Sequence, residues 1–164
     1  MTRHWTPGPI PGHTPRMEQQ DDVEQIRTLI RQWDEATRNG DVGAIAAMVT
    51  DDCVFHAPNA EPIRGRDALR AAMFRVFGAY VLEPAFDVEE IVVSGEWAFC
   101  RATDRVSAAP LESGEPITLA GWALSVLRRE ADGAWRFARG MNTRVVSDTS
   151  GQDAPGRRRS DRWR

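Results

Sequence analysis

The stretch "VLRREADGAWRFARGMNTRV", residues 126–145, decides the fold. Asp132-Gly133 sits between two runs rich in apolar and β-forming residues, the pattern of a hairpin whose turn needs a residue tolerant of positive φ. The first arm extends back to Ile117, which predicts a long strand over 117–129, and the second predicts a strand over 134–146. In the second strand Phe137, Arg139, Met141 and Thr143 form one alternate set, and Arg136, Ala138, Gly140, Asn142 and Arg144 the other. Small residues in a row, ending in an amide, suggest a hollow with a hydrogen-bonding edge.

Upstream of the hairpin, Phe86 to Val93 and Trp97 to Ala108 read as two more strands around a Ser94-Gly95 turn, followed by a loop over 110–116. Further back the period changes. In "DDVEQIRTLIRQWDEATRNG" the residues Val23, Ile26, Ile30, Trp33 and Thr37 recur at helical spacing, with Asp21 as expected N-cap and Gly40 as left-handed stop. Asp41 opens a short second helix through Met48, "DDCVFHAP" is a short strand, and "GRDALRAAMFRVFGAY" is a third helix. The order α-α-β-α-β-β-β-β, helices first and a meander after, predicts an α+β fold with an antiparallel sheet. Leu119, Ala123 and Leu127 lie on one face of the long strand and Trp122, Leu124 and Val126 on the other. Helices cover one face only, so a homodimer is expected through the outer one, carrying Trp122, Leu124, Trp135 and Phe137.

A chain of 164 residues with 41% hydrophobic and 27% charged residues suits one domain with a sizeable core. The division expected is a proline-rich flexible arm over 1–20, a folded domain over 21–146 and an arginine-rich flexible tail over 147–164. All 21 basic residues are arginine, which excludes lysine Schiff-base and pyridoxal chemistry of the usual kind. His4 and His13 lie in the arm and Cys53 and Cys100 form no metal or redox motif, so no metal site and no cofactor are expected. Residues 21–146 carry a net negative charge, against nucleic-acid binding; Arg157, Arg158 and Arg159 read as a solvated end. No apolar run reaches membrane-spanning length and no secretory signal is legible, so a reduced cytoplasmic protein is expected.

The segments "RQWDEATRNGDVGAIAAMVTDDCVFHAP", "RGRDALRAAMF" and "VLRREADGAWRFARGMNTRV" resemble the SgcJ/EcaC group of the nuclear-transport-factor-2-like superfamily, which also holds SnoaL-like cyclases and ketosteroid isomerases. The resemblance spans roughly 21–146 and rests on "GD", "DD", "GR" and "NTR" together. It implies a curved sheet wrapped around helices as a cone with a pocket at its open end, a dimer, and for several members a place in polyketide or enediyne biosynthesis. It also shows what is missing. Ala57 stands where the isomerases carry the proton-moving aspartate, Ser125 where a second acid donates, and Trp33 where helix one carries a tyrosine; steroid isomerisation is not expected. Arg101 matches the arginine of the epoxide-hydrolase relatives, but Thr103 replaces their acid.

The resemblance points Trp33, Phe55, Ala57, Phe99, Arg101, Thr103, Ser125, Ala138 and Asn142 into the cone. Arg101 suits a substrate carboxylate, phenolate or enolate, or equally an ion pair with Asp34 or Asp104. Asn142 suits a carbonyl or oxyanion, or the closing of a strand end on backbone. Trp33, Phe55 and Phe99 suit an aromatic wall or plain core. His56 is the one histidine of the body and the obvious proton carrier, but alternation sets it opposite Phe55 and Ala57. Asp51 and Asp52 read as exposed residues before the strand, and no phosphate loop, nucleophile elbow or dinucleotide fingerprint is present. Two readings follow: an enzyme that cyclises, isomerises or dehydrates a small hydrophobic or aromatic molecule, and a ligand-binding accessory protein with the same pocket.

Overall fold

A computed structural model of the chain describes residues 17–147, with side chains from residue 19. The flexible arm and tail expected at 1–20 and 147–164, with His4, His13 and Arg157–Arg159, lie outside the described residues except for residues 17–20 and Ser147. Three helices, α1 (Met17–Asn39), α2 (Val42–Ala47) and α3 (Arg66–Phe77), accompany strands β1 (Val49–His56), β2 (Ile63–Arg64), β3 (Tyr80–Ser94), β4 (Trp97–Pro110), β5 (Ile117–Arg129), β6 (Trp135–Asn142) and β7 (Val145–Val146). The sheet runs β2-β1-β6-β5-β4-β3, with β7 paired to β5, and it is curved and unclosed around the helices. No helix among the described residues is long and apolar enough to cross a membrane.

The motifs that carry the resemblance sit at joints. Gly40, at φ +67°, ends α1, and Asp41 caps α2 by accepting from the Ala44 N–H at 2.8 Å. Asp51 pairs with Arg66 at 2.6 Å, and Arg66 also donates to the Val49 carbonyl at 2.8 Å, so "DD" and "GR" lock the first strand to the start of α3. Asp52 is held at 3.0 Å by Arg128, and with Thr50 as the largest influence its carboxyl falls to about 2. Both aspartates lie within β1 rather than before it.

Three further expectations are corrected. The sheet is mixed: β1 runs parallel to β6, with Phe55 opposite Gly140, because the chain crosses from β1 to β6 through all the intervening elements. Asp21 does not cap α1, which starts a turn earlier at Met17; its neighbour Asp22 is instead buried, accepting from Trp135 Nε1 at 3.1 Å and paired with Arg129. The third strand begins at Tyr80 rather than Phe86; Pro84 is tolerated inside it because β3 is the edge of the sheet.

Register sorts the two faces. Cys100, Ser125 and Gly140 are mutual neighbours on the inner face, as are Ala102, Ala123 and Asn142 one step on. Leu127 and Phe137 pair there too, in a core with Ile26, Ile30, Ile45 and Val49. Between Phe137 and Arg139 the ladder slips by one residue, leaving Ala138 as a buried bulge. The slip returns Trp135 and Phe137 to the core, only 4% and 5% exposed, while Arg139 and Met141 face out. The predicted outer patch therefore loses Trp135 and Phe137 and keeps Trp122 and Leu124, 36% and 41% exposed, joined by Met141.

Candidate functional site

On the inner face, away from the apolar core, α1 and the strands β3 to β7 bring charge together. Asp34 projects from α1 one residue after Trp33, toward the Phe86 backbone of β3 and the carboxylate of Asp104 on β4. Burial lifts the Asp34 carboxyl to about 6; Arg38 opposes the rise, while Asp104 and Asp87 add to it. Arg38 is itself engaged elsewhere, with Glu83 at 3.0 Å and the Pro84 carbonyl, which straps α1 to β3. Asp104 is buried, and burial raises its carboxyl despite the opposing charge of Arg144, whose Nε lies 3.1 Å from Asp104 Oδ2. Asp34 has no ion-pair partner within 4.0 Å among the described residues, so of the two acids it is the one without a direct ion pair, with Arg38 acting on it only from a distance.

The "NTR" segment at the end of β6 builds the third side. Asn142 Oδ1 accepts from the Arg144 N–H at 3.3 Å, and Thr143 exchanges backbone and side-chain hydrogen bonds with Trp122 at 2.9 Å. This draws residues 143 and 144 across Gly121, where a Cβ would lie 2.7 Å from the Thr143 carbonyl carbon. Gly121 pairs with Asp104 across β4 and β5, so glycine at 121 is what lets Arg144 reach the acid. Thr37, a turn beyond Trp33 on α1, keeps a buried hydroxyl with no partner among the described residues.

Trp33, the residue before Asp34 on α1, belongs to an aromatic group packed against the core. Trp33 stacks on Phe55 at 5.9 Å and meets Phe137 edge-on at 5.0 Å. Phe55 lies directly on Gly140, where an added Cβ would come within 2.6 Å of the ring. The row Ala138, Gly140 thus borders no hollow at that point: Ala138 is a bulge and Gly140 seats a phenylalanine.

The residues expected in the cone divide. Trp33, Phe55, Ser125, Ala138 and Asn142 lie on or under the inner face. Ala57 follows β1 and is exposed. Phe99, Arg101 and Thr103 face outward, because the small row Ala98, Cys100, Ala102 of β4 is the one beneath the helices. Arg101 pairs there with Glu89 and Glu90 and lies 5.7 Å over the Trp122 ring. His56 is exposed on the outer side, opposite Met141. Sequence reasoning named Asp34 and Asp104 only as partners for an arginine and gave Arg144 no role. The signal available was a charged residue on an otherwise small, apolar strand row: Asp104 among Ala98, Cys100, Ala102, Val106 and Ala108.

Residues 30–138 match the family model of the SnoaL-like domain. Among solved structures, a conserved protein from Planctomyces limnophilus DSM 3776 is 33% identical with a TM-score of 0.74, covering 78% of this chain and 99% of that one. A ketosteroid isomerase-like protein from Erwinia carotovora atroseptica SCRI1043 is 26% identical, TM-score 0.70, covering 76% and 97%. A nuclear transport factor 2-like superfamily protein from Salmonella enterica serovar Typhimurium LT2, 15% identical with a TM-score of 0.70, covers 82% of this chain and 99% of its own and shares the fold. No curated protein matches the chain.

Proposed function

Because the chain belongs to the SnoaL-like domain family, we propose that it is an enzyme of specialised metabolism that moves a proton on a small hydrophobic or aromatic molecule, in a cyclisation, isomerisation or dehydration. One observation carries the reading: a half-buried carboxyl on α1, Asp34, lifted to about 6 by burial and set against a second buried acid, Asp104. A base that titrates near neutral pH both accepts and returns a proton efficiently. Asp34 takes the proton, Asp104 adds to its proton affinity, and Trp33 and Phe55 stack against the substrate ring. Two buried free thiols, Cys53 and Cys100, suit a reducing, cytoplasmic setting.

A second reading is a binding protein without turnover. It is favoured by the way Phe55 fills the space over Gly140 and by the ion pair that occupies Asp104. Native mass spectrometry of protein purified from its own cells identifies the bound molecule. That molecule is then offered to the wild type and to Asp34→Asn. Conversion by the wild type alone, with binding kept in the variant, is the expected result. Equal conversion by both removes Asp34 from the chemistry, and binding without conversion by either establishes the second reading.

A further inference from the structure

The expected anion-binding arginine, Arg101, sits on the outer face with two glutamates. The inner face holds a different one. Arg144 comes nearest to Asp104 through Nε, and no hydrogen bond from its two terminal nitrogens forms among the described residues. A guanidinium normally uses those nitrogens as a fork for a carboxylate or a similar planar anion. Its position is fixed from both sides: Asn142 holds its backbone N–H, Thr143 clamps the preceding residue to Trp122, and Gly121 leaves room beneath. Asn142 spends its carbonyl oxygen on that contact, and its amide nitrogen has no partner among the described residues. The face around it is apolar, with Ala102, Leu119 and Ala123 pointing the same way.

We propose that Arg144 is an anion receptor: with Nε anchored on Asp104, its terminal nitrogens and the Asn142 amide bind the carboxylate, phenolate or enolate of a small organic acid with an apolar body, and the anion enters together with a proton taken up by the Asp34–Asp104 pair. This rests on the reading that the inner face is the ligand site, and it adds the class of ligand. The coupling follows from charge. The groups facing the pair are Arg38 on α1, Asp87 on β3 and Arg144 beside β7. Arg38 is paired with Glu83 and reaches Asp34 only from a distance, so an anion arriving on Arg144 makes the local charge more negative, and Asp34, the acid without a direct ion pair, responds by protonating. Affinity then falls as pH rises above the range in which Asp34 titrates.

Benzoate is the probe, with benzamide as its neutral counterpart. Calorimetric titration of the full chain is run at pH 6.5 and 8 in buffers of unlike ionisation heat. The expected result is benzoate binding with net proton uptake, several-fold weaker at pH 8, and no benzamide binding. Arg144→Met should weaken benzoate at least tenfold, Arg144→Lys should recover part of it, and Asp34→Asn should bind benzoate without proton uptake. A change in the 15N signal of Arg144 Nε on adding benzoate reports the contact in the unmutated protein. Benzoate that fails to bind folded wild type at millimolar concentration, binds without proton uptake, or leaves the Arg144 signal unmoved overturns the proposal. The catalytic reading fails separately, on equal turnover by wild type and Asp34→Asn, whatever benzoate does at Arg144.

Discussion

At the residue scale, Asp34 and Gly140 make opposite statements about the inner face. Asp34 is held with a raised carboxyl, so the folded state binds its proton more tightly than the unfolded chain does. The stability linked to that proton is present below the unfolded value of 3.8 and is lost as pH rises through about 6. Asp34→Asn should therefore stabilise the protein at pH 7.5 by about 1–2 kcal/mol, discounted for its half-exposed side, and flatten the change between pH 4 and 7. Urea midpoints at pH 5 and 7.5 check this; an unchanged pH slope would mean the carboxyl is better solvated than its surroundings indicate. Gly140→Ala drives a methyl into the Phe55 ring, and should cost about 1–3 kcal/mol in the same assay. An unchanged midpoint would show that the ring swings aside freely. Small size at Ala138 and Gly140 was legible in the sequence, but its cause was not: a gap and a ring filling the gap call for the same residues, and only the partner strand tells them apart.

At the scale of elements, one buried bulge decides which side chains meet. Period-2 reading works along β5, where no residue is inserted, and both of its apolar faces were legible. It fails on β6 because Ala138 adds a residue between Phe137 and Arg139, and nothing in "WRFARG" marks the insertion. On β4 the alternation itself was legible but not its polarity, since both rows hold apolar residues; the bulky row faces out because the helices come down close upon the small one. The corner where α1 meets the β5–β6 hairpin depends on Trp135, which donates to buried Asp22 while Arg129 lies 4.9 Å over its ring. Trp135→Phe keeps most of the packing and removes the donor, leaving Asp22 with Arg129 alone; a loss of about 1–2 kcal/mol is expected by thermal or urea unfolding. A neutral outcome would show that the arginine suffices.

At the scale of the molecule, the outer sheet face is the part the helices leave uncovered. Trp122, Leu124 and Met141 are exposed on it, and around them run Arg101 with Glu89 and Glu90, and Arg139 with Asp52. We propose that a second copy covers this face: both charge signs border one apolar patch, as self-complementary contact about a two-fold axis requires. Leu124→Arg should give a monomer in sedimentation equilibrium, whereas changes at Trp135 and Phe137, which are core, should destabilise the fold without dissociating the dimer. A wild type that sediments as a monomer at micromolar concentration removes the proposal. The general architecture was legible because all three helical periods come before a run of consecutive strands; the parallel joint was not, because β1 lies among the helices and has no sequence neighbour that announces its partner.

That joint has a consequence in time. Val49 pairs with Phe137 and Phe55 with Gly140, so the first long strand to leave a ribosome must wait for nearly the last before it has a neighbour on that side. The β3–β4–β5 meander, built from adjacent segments, can close first, and the long loop joining β1 to β6 closes late. Weakening the β3–β4 ladder should slow refolding, while weakening the β1–β6 seam should mainly speed unfolding, a contrast that stopped-flow measurements on one substitution in each would read directly.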